Sequence, residues 1–159
     1  MRRRKAQPWY YDFRRKLRFE AEARTYVDDL VVRRSGKGRK AVIIYTAAVT
    51  IPGFERRKIV IRLLNSIEPR LIGITADGPT ESPHRYEPGG DLCMWRPDAA
   101  DDGRWTSDEG LWALIQYARV HLFREAYWRA TGAVEAGVWA GDEAAHGQPK
   151  VVESQSEAA

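Results

Sequence analysis

Between residues 26 and 75 the chain offers four strand-like runs joined by connections of only five or six residues. They are 26–34 (YVDDLVVRR), 41–51 (AVIIYTAAVTI), 57–64 (RKIVIRLL) and 71–75 (LIGIT). A parallel crossover needs a dozen or more residues, so these runs can pair only as an antiparallel meander. Residues 41–51 form the most β-branched run and close on Pro52-Gly53, a turn signal. In 57–64, Ile59, Ile61 and Leu63 alternate with Lys58 and Arg62, the pattern of a strand with one buried face. Asp77-Gly78-Pro79 ends the fourth run.

Helical patterns flank the meander. In 9–24, Tyr10, Phe13, Leu17 and Ala21 stand three or four apart, which predicts a helix docked by that stripe with Arg14, Arg15 and Arg18 outward. After the meander, residues 76–105 lack periodicity and are rich in Gly, Pro and Asp, so they read as a long irregular loop. Thr106 and Glu109 then stand at capping-box spacing, and a helix is expected to run to about Ala130 and stop at Gly132. One apolar stripe on it is Leu111, Leu114, Ile115, Ala118 and Leu122, and a second is Val120, Phe123 and Tyr127. Two stripes predict a helix packed between the sheet and a further segment. The expected fold class is α+β: helix, four-stranded antiparallel meander, loop, long helix. A single domain is expected over 1–147, with 148–159 a disordered polar tail.

At 159 residues and 43% apolar content the chain can bury one core. Its one cysteine excludes an internal disulfide and favours a reducing compartment, so a cytoplasmic setting is expected. The opening MRRRKAQPWYY has no apolar segment of a secretory signal, and no run is long enough to span a membrane. The net charge of +4 conceals an asymmetry, for residues 1–40 hold 14 Lys/Arg against 5 Asp/Glu. Such a front end can attract an acidic protein, nucleic acid or anionic lipid, or be a solvated helix face. A nucleic-acid binder acting through residues 2–18 lacks the interleaved aromatic platform that stacks bases, so nucleic acid is not an expected partner. No zinc-ligand spacing and no nucleotide-binding glycine loop occurs, so no cofactor is expected.

Cys93 lies in PHRYEPGGDLCMW, nine positions after His84 and just after Gly89-Gly90. Irregular backbone there would leave N–H groups free for an oxyanion, and a cationic neighbour would favour the thiolate. The plain alternative is a buried thiol in a structural loop, with His84 a hydrogen-bonding residue. Trp95, Trp105 and Trp112 read as packing residues that wall the loop against the long helix, and Asp98, Asp101 and Asp102 as a solvated acidic stretch. No His forms a recognisable cysteine-peptidase signature with Cys93. Spacing alone leaves these readings open.

The order of elements resembles the ubiquitin-conjugating (E2) fold. HRYEPGGDLCMW, followed by GRWTSDEGLWALIQYARVHLFREAYWRATG and GVWAGDEAAHG, resembles the bacterial E2-like proteins of antiviral defence operons, in particular the short CBASS type. The motif resemblance covers about residues 83–147 and is topological over 9–76. It implies an E2-like transferase in which Cys93 takes a protein C-terminus as a thioester and passes it to an amine. His84, Tyr86 and amides near Leu92–Cys93 would then be candidates for supporting the transfer, and Asp101 or Asp102 for holding an incoming lysine. The partner implied is a cGAS-like nucleotidyltransferase or a ubiquitin-like protein, with ATP-dependent activation left to a separate E1-like enzyme. One departure stands out: the asparagine of the eukaryotic His-Pro-Asn motif is absent, and His84-Arg85-Tyr86 stands in its place.

Overall fold

The computed structural model describes residues 8–64, 72–86, 90–95, 100 and 103–141. A single turn at Trp9–Tyr11 leads into α1 (Phe13–Arg24). Four strands follow, β1 (Val31–Ser35), β2 (Val42–Thr50), β3 (Arg56–Leu64) and β4 (Ile72–Ala76). They form one antiparallel sheet in sequence order, the meander that the short connections require. A small hairpin of β5 (Arg85–Tyr86) and β6 (Asp91–Leu92) precedes α2 (Gly110–Ala130) and the short α3 (Ala133–Ala136).

Register explains the core. Tyr45 pairs with Ile61 and Ile61 with Ile74; Ile43 pairs with Leu63, and Ala47 with Ile59. These residues are all buried and stand on one face of the sheet. Period-two alternation in β2 and β3 thus becomes a continuous apolar surface. Leu111, Leu114, Ile115, Ala118 and Leu122 of α2 are fully buried and join the same core.

The capping box forms, with the Thr106 amide donating to Glu109 Oε2 at 2.5 Å. It closes a separate 3-10 turn (Ser107–Glu109) and not the long helix, which begins at Gly110 without a side-chain cap. Gly110 then takes a φ of 80°, and a Cβ there would run into the Phe19 ring. The glycine therefore permits the close approach of α1 to the start of α2.

Three expectations need correction. The first concerns α1, which docks by Phe19, Glu20 and Ala23, while Phe13 and Leu17 are 73% and 48% exposed. The docking face includes a buried carboxylate because β2 supplies a partner: the Tyr45 hydroxyl donates to Glu20 Oε1 at 2.8 Å, and Lys16 Nζ lies 2.6 Å from it. An apolar stripe sought on α1 alone cannot register that partner.

The second concerns α2. Besides Gly110, its other buried residues are His121, Glu125 and Trp128, whereas Val120 and Tyr127 remain exposed. The third is that residues 76–105 are not wholly irregular, since they contain the β5–β6 hairpin. Of the tryptophans, Trp95 meets Tyr117 of α2 edge-on at 5.5 Å, and Trp105 Nε1 donates to the Gly110 carbonyl at 2.8 Å. Trp112 instead stacks on Tyr26, 4.3 Å away. Residues 142–159, which include the expected tail, lie outside the described residues.

Candidate thiol site

Two residues per strand do not make a stable hairpin in water, so β5–β6 depends on what holds it in place. Arg62 of β3 pairs with Asp91 and ties β6 to the sheet. On the other side, Arg85 makes a fork with Glu125 of α2, Nε to Oε1 at 2.5 Å and Nη2 to Oε2 at 2.7 Å. Arg85 also donates from Nη1 to the Gly90 carbonyl at 2.9 Å, bracing the hairpin turn itself.

Glu125 is fully buried and is the hub of this junction. His121 Nε2 lies 3.2 Å from its Oε1, and Arg129 Nη1 lies 3.7 Å from its Oε2. Burial alone would raise the carboxyl, but hydrogen bonds from Arg85 and His121, with their charges, outweigh it and hold the group at about 2. The spacing His121, Glu125, Arg129 puts all three on one face of α2.

Cys93 follows β6 directly, and its amide donates to the His84 carbonyl at 3.0 Å, extending the ladder by one rung. This corrects the expectation that loop amides at this position are free to receive an oxyanion: the Cys93 N–H is committed to the hairpin. The side chain is 2% exposed, and Sγ lies 3.9 Å from the Trp95 carbonyl. The thiol is therefore buried rather than displayed.

Tyr86 pairs with Asp91 and is the diagonal neighbour of Cys93, so the two side chains stand on the same side of the hairpin. Burial first, then the neighbouring Cys93 sulfur, push the Tyr86 hydroxyl well above its ordinary value, so it stays protonated. At 40% exposure, Tyr86 also reaches solvent.

His84 is buried, and its ring lies 4.2 Å from Trp139 and 6.4 Å from the ring of His121. Its amide donates to Ser82 Oγ at 3.0 Å. The structure thus brings Cys93, Tyr86 and the His84 backbone together, while the His84 ring belongs to an aromatic contact with the segment after α3. Asp98, Asp101 and Asp102 lie outside the described residues, as does Gly89. Among the described residues no group of three or more metal-ligating side chains could hold an ion. None of their helices is long and apolar enough to cross a membrane.

Arg85, His121, Glu125, Arg129 and Trp139 carry no individual signal in the sequence reading. The helical spacing of His121, Glu125 and Arg129 was the available clue, hidden beside the stronger apolar periodicity of the same helix. Thr131 makes the Trp139 contact possible by turning the chain back, since its Oγ1 accepts the Val138 amide at 2.8 Å.

No family model matches the chain, and neither a curated protein nor a solved structure matches it.

Proposed function

We propose that the chain is an E2-like cysteine acyltransferase, with Cys93 carrying a protein C-terminus as a thioester and delivering it to an amine. The observation that carries this reading is the placement of Cys93 beside Tyr86 on one side of a hairpin clamped between sheet and helix. The order of helix, antiparallel meander, cysteine hairpin and long helix supports it, as does the motif resemblance over residues 83–147.

In the first step the Cys93 thiolate attacks the thioester carbonyl presented by an activating enzyme. The new sulfur–carbon bond forms, the old one breaks, and the activating enzyme's sulfur leaves as a thiolate that takes up the proton Cys93 released on ionising. In the second step a substrate amine attacks the same carbonyl. An amide bond forms, the bond to Cys93 breaks, and the amine's proton returns to the sulfur. Tyr86 donates to the sulfur whenever it is anionic, which stabilises it both as nucleophile and as leaving group. Asp101 or Asp102 would hold the incoming lysine. The carried protein is a cGAS-like nucleotidyltransferase in a cytoplasmic antiphage system; the other arrangement uses a ubiquitin-like protein with a separate E1-like enzyme.

The burial of Cys93 favours a second reading, a scaffold that keeps the E2-like shape and positions a partner without chemistry. Intact-mass analysis separates the two when wild type, Cys93→Ser and Cys93→Lys are each expressed with their operon partners. The transferase reading expects a partner-sized adduct that thiol reductant removes from the wild type and that persists in the substituted forms. Cys93→Ala is expected to abolish conjugation and keep the fold. Absence of any adduct with every partner expressed, or conjugation undiminished in Cys93→Ala, selects the scaffold.

A further inference from the structure

A cleft of about 390 Å³ lies between the start of α1 and the edge strand β1. Tyr10, Tyr11 and Phe13 line it from the helical side, Arg33 and Arg34 from the strand, with Lys16 among them. It shares no residue with the Cys93 site. We propose that this cleft binds a phosphorylated nucleotide, with the base against the Phe13 ring and the phosphate on Arg33 and Arg34.

The aromatic wall is prepared for a flat ligand. Tyr10 is buried, and its ring lies 5.3 Å from that of Tyr11, whose hydroxyl donates to the Ala41 carbonyl. These contacts fix the two tyrosines. Phe13 is 73% exposed despite opening a helix that could have buried it. A large ring left in water beside cations is the arrangement that stacks a base. Here folding sets Phe13 beside Arg33 and Arg34, which residues 2–18 do not contain, against the sequence-based expectation that nucleic acid is no partner.

The cations are available. Lys16 is engaged by Glu20 at 2.6 Å, but Arg33 and Arg34 are exposed and form no ion pair among the described residues. Among the described residues no carboxylate lines the cleft. Asp12, next to Phe13 in sequence, accepts the Arg15 amide at 3.0 Å as the helix cap. Tyr11 and Arg34 line the same cleft; burial raises the Tyr11 hydroxyl, and the charge of Arg34 opposes that rise.

The surrounding charge adds reach, for residues 1–40 hold 14 Lys/Arg against 5 Asp/Glu. An acidic peptide would use the arginines but leave the exposed ring without a partner; a nucleotide uses both. The volume suits a small ligand or one or two residues of a strand.

The test is fluorescence anisotropy of the full chain with a labelled ten-residue oligothymidylate, read across a salt series. Binding is expected. Phe13→Ala should weaken it about tenfold at unchanged salt slope. Arg33→Gln with Arg34→Gln should reduce that slope by about 1.4. All three side chains are exposed, so melting curves should match the wild type.

Unlabelled ATP distinguishes the source of the ligand. Displacement by ATP assigns the cleft to free nucleotides, and retention of the oligomer against ATP assigns it to single strands; each agrees with the proposal. Absence of binding to either probe overturns it. So does binding that survives both variants and disappears when Arg2, Arg3, Arg4 and Lys5 are neutralised. Displacement by polyglutamate, together with no effect of Phe13→Ala, would also overturn it.

Discussion

The two antiparallel units of this protein are held by different means. The four-stranded sheet is fastened by apolar side chains: Ile43, Tyr45, Ile59, Ile61, Leu63 and Ile74 meet the stripe of α2 in a core that excludes water. The two-stranded hairpin, with two residues per strand, sends Leu92 into the same core and adds two charged ties, Arg62 on Asp91 at one side and Arg85 on Glu125 at the other. Apolar packing is broad and non-directional, so it fixes a fold without placing any single atom. A bidentate ion pair is directional, and it sets where the hairpin, and with it Cys93, lies. Buried charge is a costly way to stabilise a protein. Its use here falls beside the only cysteine, where position matters most.

That contrast can be broken at the clamp. Glu125→Ala leaves Arg85 and His121 buried without their carboxylate, an expected loss of about 4 kcal/mol in urea unfolding. It should also release the hairpin, so labelling of Cys93 by a thiol reagent under native conditions should accelerate by an order of magnitude or more. Unchanged labelling would mean that the clamp does not hold the thiol in place. Leu114→Ala provides the counterpart in the apolar unit. A cavity at a fully buried leucine should cost about 3 kcal/mol, with native labelling of Cys93 little altered.

Acid sharpens the same comparison. The Glu125 carboxyl is depressed from 4.5 to about 2, so its contribution is complete above about pH 4.5 and is lost as pH falls through about 2. The stability gap between the wild type and Glu125→Gln should shrink across that window, while the gap to Leu114→Ala should not follow it. Urea titrations at pH 7 and pH 3 decide this. The smallest effect is expected at Thr106→Ala. Loss of the capping box should cost about 1 kcal/mol and lower the melting temperature, leaving Cys93 labelling as in the wild type.

The meander and the capped helix were legible because their causes are local. Alternation in Ile59, Ile61 and Leu63, the Pro52-Gly53 turn, and Thr106 with Glu109 act within a few residues of chain. The face of α1 was not legible, because a glutamate goes inside only if a tyrosine from another element receives it. In the hairpin, PGGD reads as loop chemistry and gives no sign that Arg85 will find Glu125 forty residues away. The Cys93 neighbourhood divides in the same way: the sequence singles out His84, Tyr86 and Cys93, while the burial of the thiol and the commitment of the Cys93 amide to the His84 carbonyl appear only in the folded chain. The cleft beside α1 follows this rule too, since Arg33 and Arg34 lie about twenty residues from Phe13 and meet it only through the docking of helix on sheet.

The sequence by itself determined the antiparallel topology, the end of the long helix and the charge of the first forty residues. Each follows from connection length, periodicity or composition, which need no knowledge of distant neighbours. Tertiary structure decided which helix face is buried, where the charged clamp closes and how deep Cys93 lies. Burying a polar group is tolerable only when its partner arrives from elsewhere in the chain, and folding alone brings the two together.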